Sequence, residues 1–458
     1  METVRKNLFN ANVDLIHGPI FKSLIMFAFP LLISNIFQQL YNTVDTMIVG
    51  NYLGDVSLAA IGSCTSIYDL LVGFALGIGN GLAIVTARSY GSQDKKLLKK
   101  SVAASIVIGV IVSLVLTVIG FIFLKPLLIV LNTPEEIIHE AYSYILFIVL
   151  FIIVMFAYNL CAGLMRAIGN SIMPLVFLII SSVLNIILDL LFITQFDMGV
   201  AGAAIATVIS QGISVILCLI YIMKKTRILL PDKEDFAFDK VLYQELLGQG
   251  FSMGFMSSIV SAGSVILQYS INNLGYLIIA GHTAARKLYM FFNMPFTAMA
   301  LGISTFVSQN KGANQKTRIK KALKDAYIYD VVMAAIVTVI ILIFGSSLVK
   351  LISGSNENVV LDNGTLYLII VGPFYAVLGI LMQTRYALQG IGQKLLPLIS
   401  SVIEFVGKII FVFVFIPQFQ YMAVIFCEPV IWCVMCIQLV YSFYHNPYIK
   451  NKQNEEVL

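Results

Sequence analysis

Charged side chains are scarce in this sequence. Asp, Glu, Lys and Arg make up 12% of its 458 residues, and 59% of the residues are hydrophobic. An ordinary soluble domain is roughly a quarter charged, so a soluble enzyme is not expected. A membrane helix needs about 20 residues, and the apolar segments supply enough for ten to twelve of them. The composition therefore predicts an all-α integral membrane protein.

Motifs of enzymes, metal sites and disulfide scaffolds are missing as well. The six cysteines lie inside apolar stretches, where cysteine behaves as a small hydrophobic residue. Three of them, Cys427, Cys433 and Cys436, superficially suggest a metal site, but they do not form the two Cys-x-x-Cys pairs of a zinc site and have no histidine partners. The run GIGNG (77–81) lacks the Lys-Ser/Thr pair of a phosphate-binding loop. We expect no enzyme activity, no metal and no ATP hydrolysis.

Two further absences concern partners and targeting. The net charge is +5, but the Lys and Arg residues sit in short clusters between apolar runs, as in cytoplasmic loops. We therefore expect no nucleic-acid partner. The N-terminal stretch METVRKNLFNANVDLIHG is polar and shows no apolar region followed by a cleavage site, so no cleavable signal peptide is expected.

Apolar runs bounded by charged or turn residues predict twelve transmembrane helices, six in each half. The predicted spans are 19–46, 57–88, 98–123, 136–163, 173–195, 199–223, 242–271, 277–309, 323–348, 360–388, 395–417 and 421–444. The charged stretch between the halves predicts three parts: an N-lobe of residues 1–223, a cytoplasmic linker of residues 224–240 and a C-lobe of residues 241–458.

The distribution of positive charge predicts the orientation, because cytoplasmic loops are rich in Lys and Arg. With the N-terminus inside, 24 of the 29 Lys and Arg residues fall in cytoplasmic segments, among them Arg5, Lys6 and Lys452. The other five are Lys125 and Lys350 in outside loops and Arg286, Lys287 and Lys408 within spans. Both termini are therefore predicted to be cytoplasmic.

The two halves are an internal repeat. The segment GNGLAIVTARSYGSQDKKLLKKS (79–101) aligns with ALGISTFVSQNKGANQKTRIKKA (300–322), matching Gly81 to Gly302 and Lys95 to Lys316. A second pair, LMRAIGNSIMPL (164–175) and ALQGIGQKLLPL (387–398), matches Gly169 to Gly392. The distance along the chain between the two aligned segments is nearly the same in both pairs. Six spans per repeat give both halves the same orientation, so we expect two six-helix lobes related by a pseudo-twofold axis along the membrane normal.

Several polar positions spaced within apolar helices match one family together. They lie in FPLLISNIFQQLYNTVDTMIVGNYLG (29–54), LAAIG (58–62), LMRAIGNSIMP (164–174), LNIILDLLFI (184–193) and MGVAGAAIATVISQ (198–211). On these motifs the chain resembles the multidrug and toxic compound extrusion (MATE) family over nearly its whole length.

The resemblance implies an antiporter of the cell inner (plasma) membrane that exports organic, mostly cationic, drugs in exchange for H+ or Na+. The expected partners are small organic cations or drugs and the lipid bilayer, and we expect a monomer with no cofactor besides the coupling ion. One alternative is a flippase or exporter of lipid-linked oligosaccharides or metabolites on a related two-lobe fold. A non-transporting membrane enzyme or receptor is a third interpretation.

Polar residues in the N-lobe are candidates for the coupling site, because intramembrane acids are costly. Asp45 lies late in the first span, with Tyr41 and Gln38 four and seven residues earlier on the same helix face. Asn185 and Asp189 are one turn apart in the fifth span. By resemblance, the coupling site also includes Thr207 of the sixth span. The full set is Asp45, Asn185, Asp189 and Thr207, with Gln38 and Tyr41 as neighbours.

Two carboxyl groups close together in an apolar environment favour sharing one proton. The same oxygens also suit a small hard cation, so the residues leave H+ and Na+ open. Pro30 removes one backbone hydrogen bond from the first span and is predicted to kink it, the alternative being a static proline near a helix start. Simple helix–helix hydrogen bonding remains an alternative role for the polar cluster.

The C-lobe lacks the equivalent cluster, because Leu267 and Lys408 stand near the positions of Asp45 and Asn185. Glu404 and Lys408, spaced i and i+4, predict an ion pair. Other candidates for contact with substrate are intramembrane acids and a methionine in an aromatic segment, namely Asp69, Glu404, Glu428 and Met290. His282 is either a proton carrier or a satisfied polar residue beside Arg286 and Lys287.

Overall fold

The computed structural model describes residues 12–131 and 133–450. Arg5, Lys6 and Lys452, and with them the predicted location of both chain ends, lie outside the described residues. Within the described ranges the chain is helical, and the one strand-type contact is an isolated antiparallel bridge between Asn12 and Asn170.

Twelve long helical elements follow one another along the described chain. They are α1 Ile20–Leu53, α2 Asp55–Gly91, α3 Lys95–Val130, α4 Glu135–Leu150 with Ile152–Ala167, α5 Ile172–Thr194, α6 Gly199–Lys225, α7 Lys240–Asn272, α8 Tyr276–Gly312, α9 Lys316–Ser353, α10 Asn358–Gly390, α11 Leu395–Phe419 and α12 Tyr421–Tyr444. A short helix, α13 (Pro447–Lys450), follows them.

Eleven of these elements are long and apolar enough to cross a membrane, and the two segments of α4, bent by 49°, make a twelfth. Each predicted span lies within its helix to within one residue, which confirms the predicted number and order. Helices α3 and α9 are 36 and 38 residues long, and they begin with the basic sequences KKLLKK and KTRIKK. Since about 20 residues cross a bilayer, their basic first turns extend beyond its apolar part.

The repeat seen in the sequence is also present in the backbone. Gly54 precedes α2 with φ +85°, and Gly275 precedes α8 with φ +101°. Gly169 and Gly392, which the sequence alignment matches, follow α4 and α10 with φ +90° and +97°. These positive angles are accessible to glycine without steric cost. The same turns therefore recur at corresponding places in the two halves.

The chain divides into two compact units, one of residues 12–17 and 29–258 and the other of residues 18–28 and 259–450. The borders fall inside α1 and α7, so each unit contains the opening turns of the other repeat's first helix. The predicted lobe boundaries at residues 223 and 241 follow the sequence repeat and stay a prediction.

In the first unit, α2 and the start of α7 cross at glycines spaced four residues apart. A Cβ on Gly77 would lie 2.8 Å from the Cα of Gly254, and one on Gly81 would lie 2.6 Å from the Cα of Gly250. Small residues at such spacing let two membrane helices approach to backbone contact. The glycine-rich run after Asp69 therefore serves close helix packing.

The predicted linker is ordered along the first unit. It contains two 3₁₀ turns, Arg227–Leu229 and Lys233–Phe236. The ammonium group of Lys99 lies 2.6 Å from the carboxylate of Asp232, and that of Lys100 lies 3.9 Å from Asp239. These contacts join the linker to the basic first turns of α3.

Candidate functional site

The polar residues predicted for the coupling site converge inside the first unit. Asp45 and Tyr41 lie one turn apart on α1, Asn185 and Asp189 lie one turn apart on α5, and Thr207 lies on α6. Helices α5 and α6 pack along each other and bring the amide and the acid of α5 to the hydroxyl of α6.

Hydrogen bonds link the five side chains. The hydroxyl oxygen of Thr207 lies 3.3 Å from the hydroxyl of Tyr41 and 3.3 Å from the side-chain amide of Asn185. With its nitrogen toward Asp189, the Asn185 amide donates to Oδ2 of Asp189 at 2.9 Å and accepts from the backbone N–H of Thr207 at 3.2 Å. The carboxyl groups of Asp45 and Asp189 lie close enough to interact directly.

The cluster is buried and anionic. Asp189 and Asn185 are 0% and 1% exposed, and Thr207 is 8% exposed, while Asp45 and Tyr41 are half-buried. The same three helices also form a small buried apolar cluster of Ile48, Val49, Ile193 and Ala203. Along the described chain, neither acid has a Lys, Arg or His within ion-pair distance.

Two carboxylates in contact without a basic partner repel each other, and this repulsion can be relieved in two ways. A hydrogen bond between carboxyl groups needs a proton on one of them, and the pair then carries one negative charge. Alternatively a small cation binds between them, since Oδ1 of Asp45 and Oδ1 of Asp189 have no hydrogen-bond partner among the described residues. The amide, hydroxyl and carboxyl oxygens present are hard ligands that fit either a proton or a small cation.

The remaining N-half candidates lie away from this network. Gln38 is exposed on α1. Pro30 is buried inside α1, and its carbonyl oxygen accepts a hydrogen bond from the Ser34 hydroxyl at 2.9 Å. Asp69 is exposed on α2.

In the second unit, the structure brings Glu404 and Lys408 of α11 together. The Lys408 ammonium donates to Oε1 of Glu404 at 3.0 Å and to the hydroxyl of Ser264 on α7 at 3.2 Å. Arg385 of α10 approaches the second carboxylate oxygen at 3.9 Å. Glu404 thus has two basic neighbours, and the Lys408 side chain is only 2% exposed.

Glu428 of α12 also has a basic partner, which the sequence did not identify. Arg286 of α8 donates to its Oε2 at 2.6 Å, and the Tyr367 hydroxyl donates to the same oxygen at 3.3 Å. His282 lies one turn from Arg286, with Nδ1 3.3 Å from the Tyr421 hydroxyl. Because Arg286 neutralises it, Glu428 is not a free anionic group in this conformation.

A cavity in the second unit joins these groups. It is lined by Ser264, Leu267, Gln268, Ile271, His282, Arg286, Tyr367, Val424 and Glu428. Met290, predicted to contact substrate, is 51% exposed on the same helix as Arg286. At the preceding position, Tyr289 stacks with Tyr375 and Trp432 at centroid distances of 5.8 and 6.1 Å.

One buried acid, Asp330 of α9, is absent from the predicted set. Its side chain is 0% exposed and accepts a hydrogen bond from Gln383 of α10. The sequence contains the information needed to find it, because Asp330 is an acid within the predicted span 323–348 and intramembrane acids are candidates for functional sites.

Comparison with known proteins gives consistent matches over most of the chain. The MatE family model matches twice, at residues 30–191 and 253–414, once in each repeat. Probable multidrug resistance protein YoeA of Bacillus subtilis (strain 168) is 26% identical over 435 residues, 93% of each chain. Multidrug export protein MepA of Staphylococcus saprophyticus is 26% identical over 380 residues, 82% of each chain.

Solved structures share the fold. The outward-facing conformation of a multidrug resistance MATE family transporter superimposes with a TM-score of 0.88 at 22% identity, covering 96% of this chain and 99% of that one. A MATE protein in the bent conformation gives 0.85 at 22% identity, covering 94% and 96%. Since the family model covers more than half of the residues, the chain belongs to the MATE family, whose members are multi-helix membrane transporters and not enzymes.

Proposed function

We propose that this protein is an antiporter that exports organic, mostly cationic, drugs or toxic compounds in exchange for inward-moving H+ or Na+. The observation that carries the proposal is the buried contact between Asp45 and Asp189, which has no basic partner in the described ranges. The names of the relatives, a multidrug resistance protein and a multidrug export protein, support drugs as the substrate class.

Coupling requires that the ion and the substrate favour different arrangements of the protein, because a ligand shifts an equilibrium only by its differential affinity. A proton or Na+ at the acid pair removes one negative charge from an apolar environment, and this stabilises the ion-bound arrangement. One elementary charge that crosses 100 mV supplies about 2.3 kcal/mol to the cycle.

Pro30 is the proposed point at which α1 changes its angle. Proline lacks the backbone N–H that would complete the helix at this turn. The border between the compact units falls between Ala28 and Phe29, directly before it. A change of angle at Pro30 would therefore act on the segment of α1 that contains Asp45.

The proposed location is the plasma membrane, with the chain acting as a monomer. Helices α3 and α9 expose large apolar side chains along their length, including Val118 and Ile122 on α3 and Ile340 and Phe344 on α9. Exposed apolar faces of this extent fit the acyl chains of a bilayer.

Efflux from proteoliposomes tests the proposal. Purified protein is reconstituted, a fluorescent organic cation is enclosed, and pH and Na+ gradients are imposed separately. We expect one gradient to drive efflux and the Asp45→Asn variant to lose it, because an amide cannot exchange a proton and carries no charge for Na+. Asp55→Asn, which changes an exposed acid at the start of α2, outside the cluster, is the matched control.

The same experiment tests the flippase alternative. Folded wild-type protein that moves no organic cation under either gradient would contradict drug export and favour a lipid-linked or metabolite substrate. A strongly cationic cavity would be expected for a lipid-linked pyrophosphate. Instead Arg286 and Lys408 are each paired with a glutamate.

A further inference from the structure

Asp330 lies in the middle of α9, inside the second unit and separate from the acid pair on α1 and α5. Its side chain is wholly buried. Within residues 12–131 and 133–450, no Lys, Arg or His lies within ion-pair distance of its carboxyl group. A buried carboxylate without a counter-ion is costly, so this charge needs another means of compensation.

The one hydrogen bond that Asp330 makes among the described side chains comes from Gln383 of α10. Gln383 Nε2 donates to Oδ1 of Asp330 at 3.1 Å and to the carbonyl oxygen of Phe296 on α8 at 3.3 Å. Because both atoms facing this nitrogen are acceptors, the orientation of the amide is fixed.

Two oxygen atoms of this pair are left without a donor. Oδ2 of Asp330 and Oε1 of Gln383 are both buried, and neither has a hydrogen-bond partner among the residues described. Both are acceptors while the acid is ionised, and a proton on the carboxyl group of Asp330 would turn Oδ2 into a donor. A carboxylic acid beside a primary amide supplies that proton and forms two parallel hydrogen bonds.

The groups around Asp330 offer little room for another hydrogen-bond donor to its carboxyl group. A Cβ on Gly379 of α10 would lie 2.6 Å from the carboxyl carbon of Asp330, so the helix backbone covers this group closely. The titratable groups that interact with it are Tyr327 and Tyr329 on the same helix. The hydroxyl of Tyr327 is already hydrogen-bonded to Thr384 at 2.6 Å.

We propose that Asp330 is a second proton-binding site, at which the proton is held between the carboxyl group and the amide of Gln383. The fold alone does not require an acid here, because the alignment that matches Lys95 to Lys316 places Gly109 at the equivalent position of the first half. The site is independent of which ion drives transport, and its test needs no transport measurement.

Infrared difference spectroscopy tests the proposal directly. A protonated carboxyl group has a carbonyl stretch that is separate from the carboxylate bands and shifts on exchange into D₂O. The spectrum of wild-type protein minus that of Asp330→Asn is expected to contain this carbonyl band at neutral pH. A carboxylate band in its place would overturn the proposal.

A second variant keeps the proposal testable if Asp330→Asn does not fold. Gln383→Leu removes the amide and keeps the acid, so the carbonyl band of Asp330 is expected to move to higher frequency as its hydrogen bonds are lost. A carbonyl region identical to that of the wild type would contradict the pairing. Thr338→Val, which removes a hydroxyl of the same helix as Asp330 that is hydrogen-bonded to the Ala334 carbonyl oxygen at 2.7 Å, is the control and is expected to leave the band in place.

Discussion

At the residue scale, Thr207 contacts two other members of the coupling cluster. Its hydroxyl lies 3.3 Å from both Tyr41 and the Asn185 amide, and through them it positions groups on α1 and α5. Neither contact is to a charged atom, but Asn185 in turn donates to Asp189 at 2.9 Å. Thr207 therefore acts on the acid pair through its neighbours, as a positioning residue.

Replacing Thr207 by Val removes the hydroxyl and keeps the shape. We expect the ion concentration for half-maximal efflux to rise by up to about tenfold, since the loss of a hydrogen bond between neutral groups costs about 0.5–1.5 kcal/mol. The measurement is efflux against H+ or Na+ concentration in proteoliposomes. Thr207→Ser keeps the hydroxyl and is expected to stay near the wild type. Equal values for the Val and Ser variants would remove Thr207 from the coupling site.

At the scale of elements, close helix packing depends on a few of the glycines. The sequence alone does not show which glycines these are. On α2, Gly81 lies in backbone contact with α7, whereas nothing lies within 4 Å of a Cβ built on Gly73. Both are glycines of the same helix, two turns apart. They therefore form a matched pair in which the packing differs and the local backbone is the same.

The Gly81→Ala variant is expected to unfold at a lower temperature than the wild type, because overpacking a tight contact costs about 1–3 kcal/mol. The Gly73→Ala variant is expected to unfold at or slightly above the wild-type temperature, because alanine favours a helix by up to about 1 kcal/mol. Thermal unfolding in one detergent measures both. If the two variants shift equally, helix propensity and not the α2–α7 contact controls stability at these positions.

The sequence predicted the helices well because a bilayer sets their length and apolar character. It also predicted the meeting of Asp45 with Asp189, partly because Asn185 and Asp189 share a helix face and partly through family resemblance. It did not predict the pairing of Arg286 with Glu428, which are far apart in the chain. No local pattern specifies such a contact, since it depends on how α8 and α12 pack.

The bend of α4 is a further feature that the sequence did not predict. Its two segments meet at Phe151 with an angle of 49°, and neither proline nor glycine lies at the junction. At this junction the backbone N–H of Val154 bonds to the carbonyl oxygen of Phe151, three residues earlier, so the regular pattern of helical hydrogen bonds is interrupted. Apolar periodicity does not indicate such an interruption.

At the scale of the whole molecule, the repeat and the charge distribution together specify a topology. The basic starts of α3 and α9 align in the repeat, with Lys95 matching Lys316. Since each repeat contains six spans, these two lysines are predicted on the same, cytoplasmic side. Lys125 and Lys350, near the other ends of α3 and α9, are predicted on the outside.

Cysteines introduced one at a time at these four lysines test the topology in intact cells. A membrane-impermeant maleimide is expected to label Lys125→Cys and Lys350→Cys, and to label Lys95→Cys and Lys316→Cys only after the cells are opened. The wild type serves as control for background, because four of its cysteines are buried and Cys433 and Cys436 are half-buried. Opposite accessibility at Lys95 and Lys316 would mean that the halves are inverted, and then the parallel repeat would be wrong. Labelling of both from outside would instead reverse the whole chain, and the basic loops would contradict the positive-inside rule.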